Sequence, residues 1–306
     1  MDEHINDILV YFGFNFKIIN KLKTSGQRTA YLGDQKGTKV VIKITPAIES
    51  NVARIQREFK ILSSLNSPLF PKIHKISFIT RENLENYHDH LIGEDAAKAA
   101  EFIKLNPTPF IYTVEEYIEN ISWKVVLPKL REEPIFIDFL NNLVIGLALL
   151  WEKKIIHRDL KPDNILIRKD LTPTIIDLGI AKSLNPGTRD ITSPFFHTPC
   201  TPRFAAPEQL LNKKTEISYK SDQFSIGVIG YLILTGRYPY GDVEVDGLDF
   251  VIRKMNSKGT IDFSASCINN GQIFTLISKL LEIQPYKRFR IAEDIIKQLK
   301  TAKGAI

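Results

Sequence analysis

The sequence predicts an α+β chain in two lobes, a small antiparallel sheet with a helix followed by a larger, mainly helical portion. Three observations carry that expectation. Short runs rich in β-branched and aromatic residues, KVVIKI (39–44), KIHKISFIT (72–80) and FIYTVEEYI (110–118), crowd the first part of the chain. Two longer apolar stretches, FLNNLVIGLALLW (139–151) and FSIGVIGYLILTG (224–236), lie beyond them and suit buried helices. The composition changes near residue 120, so residues 1–306 are expected to form one domain with a first lobe over about 1–117 and a second over about 121–306.

The elements follow in order. Ile5, Ile8, Leu9 and Phe12 fall at helical spacing with Gly13 as a stop, and the acidic start of this segment does not resemble a signal peptide. In KLKTSGQRTAYLG (21–33), two strands flank the polar tip Ser25-Gly26-Gln27-Arg28, which suits a β-hairpin. Pro46 ends the next strand, and a helix is expected over 49–65 with Val52, Ile55, Phe59 and Leu62 as its apolar stripe. Glu58 borders that stripe, where an acid needs a partner, and Lys43 on the preceding strand is the candidate. Residues 81–109 separate two strands by far more than a turn. They are read as an insertion at a loop, partly helical and bounded by Pro107 and Pro109.

In the second lobe Pro134 suits the first residue of a helix over 134–153. The strands ILI (165–167) and TIID (174–177) flank a tight turn. Ser221 and Asp222 are expected to cap the helix that stops at Gly236. Both long apolar stretches are short for a bilayer span, and no membrane anchor is expected.

Composition narrows the function classes. With 41 basic and 35 acidic residues the formal charge is +6, which permits anionic ligands. The basic residues are dispersed, so no nucleic-acid footprint is expected. Cys200 and Cys267 have no metal-ligand spacing and give no disulfide framework, in keeping with a reducing cytoplasm.

The densest chemistry is IIHRDLKPDNILI (155–167) followed by IIDLGIAK (175–182). A solvated loop would explain the charges but not their spacing. A hairpin of the two short strands brings Asn164 to Asp177 and offers hard oxygen ligands suited to Mg²⁺. Asp159 is offset from them and can accept a proton, with Lys161 stabilising charge beside it.

These residues resemble the protein-kinase family, and its serine/threonine branch in particular. HRDLKPDN is similar to the family's catalytic loop, and Asp177-Leu178-Gly179 to its D-F-G with leucine in the middle. CTPRFAAPE (200–208) resembles the segment ending in A-P-E, SDQFSIGVIGYLILTGRYPY (221–240) the helix that follows, and QPYKRF (284–289) a late motif whose arginine, Arg288, pairs with Glu208. The likeness runs from about residue 16 to 298 and implies the two-lobed protein-kinase fold.

By that resemblance Asp159 is the catalytic base, Lys161 contacts the transferred phosphoryl group, and Thr201 bridges the two. Asn164 and Asp177 hold Mg²⁺, Lys43 holds the α- and β-phosphates of ATP, and Glu58 is its ion-pair partner. Glu116 opens the hinge segment beside the adenine, and Arg158 helps bind an activation-segment phosphate on Thr192, Ser193 or Thr198. The implied partners are protein substrates carrying serine or threonine. Control is left to a regulatory partner, the 81–109 insertion or the segment between Asp177 and Glu208.

Two departures stand out. TSGQRTAY lies where the family has G-x-G-x-x-G-x-V, with Lys23, Ser25 and Arg28 at the glycine positions and Gly26 displaced. Backbone N–H groups at Ser25 and Gly26 can still face phosphates, and Arg28 can meet one through its charge. Glu115 stands where the family has an apolar residue or threonine behind the adenine. It is either a solvated edge-strand glutamate or part of that pocket wall. Two rival functions follow, a kinase-like scaffold and a small-molecule phosphotransferase. The second would lack both Lys161 and the A-P-E segment.

Overall fold

The computed structural model describes residues 17–25, 27–105, 108–178, 182–183, 200–257 and 259–304. The helix expected over 5–13 lies outside them, as do Gly26, Thr192, Ser193 and Thr198. The chain divides into two compact units, residues 1–66 with 71–118, and residues 67–70 with 119–306. The composition shift near residue 120 coincides with that division.

In the first unit β1 (Lys17–Ser25), β2 (Arg28–Gln35), β3 (Thr38–Pro46), β4 (Ile73–Ile79) and β5 (Phe110–Glu116) form one antiparallel sheet in the order β1-β2-β3-β5-β4. Ser25 pairs with Arg28, so the expected hairpin closes through a two-residue tip. Helix α1 (Glu49–Ser63) follows β3. Its buried residues are Asn51, Ile55, Glu58, Ile61 and Leu62. Glu58 therefore sits within the buried face rather than at its border, and Phe59 is only half-buried.

Cross-strand partners share a face of a sheet. Lys43 opposes Thr113 and Val41 opposes Glu115, which puts these four on one side. Ile42 opposes Val114 and Ile44 opposes Tyr112 on the other. The second side is buried in a cluster with Leu84, Tyr87, Ala99 and Phe102. These four belong to α2 (Arg81–Asp89) and α3 (Gly93–Leu105), the two helices formed by the residues expected as a loop insertion. Thr80 caps α2, accepting from Asn83 N–H while the Asn83 side chain accepts from Thr80 N–H. The insertion is helical, as expected in part, and its apolar residues join the core of the first unit.

The second unit opens with β6 (Asn120–Ile121), α4 (Trp123–Leu130), α5 (Glu133–Glu152) and β7 (Ile155–Ile156). It continues through β8 (Ile165–Arg168), β9 (Pro173–Ile175) and β10 (Lys182–Ser183). The helices α6 (Pro207–Leu210), α7 (Tyr219–Thr235), α8 (Val243–Asp246), α9 (Leu248–Asn256), α10 (Gly271–Leu280) and α11 (Ala292–Gly304) complete it. On α5, Phe136, Leu140, Leu143, Leu147 and Leu150 repeat at steps of three and four and are at most 1% exposed. Burial of each contributes about 1.5–3 kcal/mol. This 20-residue helix is long and apolar enough to cross a membrane, yet these side chains are taken up by the protein's own core.

Helix α7 ends as expected, with Gly236 in the left-handed region at φ 70°. Its start differs from expectation. Ser218 is the cap and Ser221 completes the capping box, leaving Asp222 inside the helix and fully buried. Gly227 admits a close crossing, since a Cβ there would lie 2.9 Å from Leu281 Cγ.

Candidate active site

The second unit builds one constellation around Asp159. The hairpin of β8 and β9 pairs Ile165 with Ile175, and Ile176 N–H donates to Asn164 O at 2.9 Å. Asn164 ends a 3₁₀ turn over Pro162–Asn164 and Asp177 follows β9, so the expected hairpin brings the two chain positions together. Asn164 Nδ2 donates to Asp159 O at 2.8 Å and to Asp159 Oδ2 at 3.2 Å. Lys161 Nζ lies 2.8 Å from Asp159 Oδ2. Thr201 Oγ1 accepts from Lys161 Nζ at 2.6 Å and donates to Asp159 Oδ1 at 2.7 Å. The expected bridge of Thr201 between Asp159 and Lys161 is present.

Because Asn164 Nδ2 is committed to Asp159, its amide is fixed in orientation and Oδ1 is left as the acceptor. That oxygen and the Asp177 carboxylate are the hard donors Mg²⁺ prefers, so the residues fit the ion.

Backbone geometry is held from behind. Arg158 and Asp177 adopt left-handed φ values of 73° and 61°. Such conformations cost about 1–3 kcal/mol each and persist where the surroundings over-determine them. Around Arg158 the determinant is Asp222. Its Oδ1 accepts from Arg158 N–H at 2.9 Å, and its Oδ2 from His157 N–H at 3.0 Å and Trp151 Nε1 at 2.9 Å. Burial pushes the Asp222 carboxyl above the ordinary aspartate value, against these donors. Gln209 Nε2 donates to Arg158 O at 2.8 Å. His157 Nδ1 faces Asp159 N–H and its Nε2 faces Ile176 O, both at 3.3 Å, which assigns the Nε2–H tautomer. Leu178, the middle residue of the D-L-G triplet, is fully buried.

The segment after residue 200 is anchored at three points. Thr201 N–H donates to Asp159 Oδ1 at 2.9 Å. Arg203 forms a fork with Asp242 at 2.6 and 2.8 Å and holds that carboxyl below the usual range. Glu208 and Arg288 pair as expected, at 2.8 and 3.0 Å, with both side chains at most 1% exposed. Ser221 Oγ also donates to Glu208 Oε1 at 2.7 Å. The Cys200 thiol is pushed up to about 11, by burial first and by the Asp159 charge second. Sequence reasoning missed Arg203–Asp242, Gln209 and the true task of Asp222. Each depends on contacts across dozens of residues.

In the first unit the expected Lys43–Glu58 ion pair is present but long, and a second carboxylate lies nearer. Lys43 Nζ lies 2.7 Å from Glu115 Oε2 but 3.9 Å from Glu58 Oε1. Glu58 Oε2 instead accepts from Arg28 Nη2 at 2.7 Å. Glu115 is 3% exposed on β5, an interior strand between β3 and β4, so the solvated edge-strand reading is wrong. Arg28, expected at a phosphate, is directed to a carboxylate. Glu116 is half-buried, donates its N–H to Lys72 O at 2.8 Å and accepts from Lys72 N–H at Oε2. Ser25 ends β1 next to the tip.

Comparison with known proteins follows the same residues. The family described as protein kinase domain matches residues 24–299. Serine/threonine-protein kinase pkn2 of Myxococcus xanthus is 28% identical over 98% of this chain and 34% of its own length. Serine/threonine-protein kinase STK11 of Mus musculus is 33% identical over 51% of this chain and 34% of its own. A protein named inactive serine/threonine-protein kinase PLK5, also of Mus musculus, is 33% identical over 69% of this chain and 32% of its own. The chain therefore spans about a third of the length of these relatives. With the family matched over nearly all its residues and the Asp159 constellation assembled, the chain belongs to the protein kinase family, on its serine/threonine branch.

Proposed function

We propose that this chain is an ATP-dependent serine/threonine protein kinase that transfers the γ-phosphoryl group to protein hydroxyls. The single observation that carries the reading is the Asp159 carboxylate held by Lys161, Thr201 and Asn164. A relative whose name includes the word inactive makes family membership alone insufficient, which is why the geometry is needed.

In the proposed reaction the substrate hydroxyl attacks the γ-phosphorus, its proton passes to Asp159, and ADP leaves with the bond electrons. Lys161 offsets negative charge on the transferred group, and Lys43 pairs the α- and β-phosphates. Asn164 and Asp177 would hold Mg²⁺, which when bound supplies charge neutralisation at the phosphates. Backbone at Ser25 and Gly26 would face the phosphates, and Glu116 the adenine. Lys161 and Thr201 support serine and threonine over tyrosine. The test is transfer of labelled γ-phosphate to an added protein, with phosphoamino-acid analysis of the product. Phosphotyrosine alone would refute the substrate class.

The reading extends to self-phosphorylation between Asp177 and Glu208, at Thr192, Ser193 or Thr198. Its support is Arg158, adjacent to the base and fixed by Asp222 and Gln209. Triple alanine replacement should sharply reduce transfer to an added substrate. Full activity would show that control lies in a regulatory partner or elsewhere in the chain. A cytoplasmic setting completes the proposal, supported by two free thiols and checked by cell fractionation. One observation favours the scaffold alternative: Lys43 lies at 2.7 Å from Glu115 and only at 3.9 Å from Glu58. ATP binding without any transfer is its expected outcome.

A further inference from the structure

We propose that Glu115 is the residue that positions Lys43 in this chain, and that Arg28 takes over from Lys43 as the partner that holds Glu58. The inference rests on the kinase reading of Lys43 and adds two positioning residues to it.

Register puts the participants on one face. Lys43 opposes Thr113 on β5 and Ala30 on β2. Glu115 lies two residues beyond Thr113, and Arg28 two before Ala30, so the alternation of a strand directs both toward the side of Lys43. Helix α1 brings Glu58 to the same side. The side chains of Arg28, Lys43, Glu58 and Glu115 are 18, 13, 2 and 4% exposed, and their formal charges sum to zero.

Geometry decides who pairs with whom. Thr113 Oγ1 donates to Glu115 Oε1 at 3.1 Å, which fixes the carboxylate and presents its other oxygen to Lys43 at 2.7 Å. At 3.9 Å, Glu58 Oε1 lies beyond hydrogen-bond range of Lys43, and that oxygen is buried without a hydrogen-bond donor. Its companion oxygen is taken by Arg28. A second link runs in parallel, because Asn51 Nδ2 of α1 donates to Gln27 Oε1 at the hairpin tip, 2.8 Å away, and to Pro46 O. Helix α1 is therefore tied to the β1–β2 hairpin twice, through Gln27 and through Arg28. The one lysine–glutamate pair expected from the resemblance is divided into two.

The division has a kinetic signature. Neutralising Glu115 leaves the group with a net positive charge, so attraction for a triphosphate is not weakened. What is lost is the orientation of the ammonium. Glu115→Gln should lower kcat about tenfold while the KM for ATP stays level or falls, and Glu115→Asp should recover most of the loss. General damage to the fold would raise KM as well.

The experiment combines those kinetics with denaturant unfolding of the full chain. In double-mutant cycles, Lys43→Met with Glu115→Gln should deviate from additivity about tenfold or more in the unfolding constant, as should Arg28→Gln with Glu58→Gln. Lys43→Met with Glu58→Gln should deviate less than about twofold. If Glu115→Gln does not fold, the neutral pair Lys43→Met/Glu115→Leu should, and failure of both overturns the pairing. Strong coupling of Lys43 to Glu58 with none to Glu115, or an unchanged kcat in Glu115→Gln, also overturns it. The cycles need no activity, so a wild-type chain that transfers no phosphate would sink the kinase reading while leaving the pairing measured.

Discussion

Thr201 and Asp159 are joined twice, through the threonine hydroxyl at 2.7 Å and its backbone N–H at 2.9 Å, both on Oδ1. The residue after Cys200 thus fixes the rotamer of the proposed base, while its hydroxyl oxygen accepts a hydrogen bond from Lys161 Nζ at 2.6 Å. Thr201→Ala keeps the backbone bond and loses both side-chain bonds. A hydrogen bond to a charged group is worth about 1.5–3 kcal/mol, so kcat should fall by about 10–100-fold. Thr201→Ser should retain most activity, and steady-state kinetics on both variants checks this. Equal losses in the two would assign the role to the methyl group instead.

Asp222 offers a stability test. Replacement by alanine strands three donors, the buried His157 N–H and Arg158 N–H and the half-buried Trp151 Nε1. Each orphaned donor costs about 1–3 kcal/mol. Urea unfolding of Asp222→Ala should reveal a loss of at least about 3 kcal/mol or a chain that does not fold. Asp222→Asn should lie between it and wild type, since an amide oxygen serves some of the donors and its NH₂ opposes another.

The Glu208–Arg288 pair is buried on both sides. Breaking such a pair by removing one partner costs about 3–5 kcal/mol, because the other charge is left behind. Glu208→Gln should show that loss in chemical denaturation, and Glu208→Gln/Arg288→Met should cost clearly less than the two single changes added together. Additivity would mean that the two residues stabilise the fold independently.

Cys200 gives a pH-dependent readout of the Asp159 environment. With its thiol pushed up to about 11, only the thiolate reacts and its share rises roughly tenfold per pH unit below that value. Alkylation by iodoacetamide in a Cys267→Ser background should climb steadily from pH 7 to 10 without levelling. In Asp159→Asn, removal of the carboxylate charge should move the profile toward lower pH. A plateau reached by pH 9 would contradict the burial that sets this value.

The parts legible in the sequence are those whose contacts are local. Asp159, Lys161 and Asn164 lie within six positions, and a short hairpin carries Asn164 to Asp177, so spacing alone implied the cluster. The Lys43–Glu58 pair is legible and lies at 3.9 Å, but the nearer partner Glu115 is not, because it depends on the register of β3 against β5, which composition does not encode. Glu115 competes only once Val41 is known to oppose it. The helical character of the 81–109 insertion is legible in the sequence, whereas its burial, carried by Leu84 with Tyr87 and Ala99 with Phe102, depends on packing against the sheet. At the start of α7 the Ser218–Ser221 spacing was the real cap signal, and Asp222 distracted from it.

Asp159→Asn tests the central claim most directly, with γ-phosphate transfer and nucleotide binding measured on the same preparation. In the proposed role the carboxylate acts on the substrate hydroxyl, and an asparagine keeps its shape while losing its basicity. Transfer should fall by about 10²–10⁴-fold while the Kd of a fluorescent ATP analogue with Mg²⁺ changes less than about threefold. Near wild-type transfer by the variant, or a loss of transfer that merely tracks lost nucleotide binding, would contradict the assignment of Asp159 as the base.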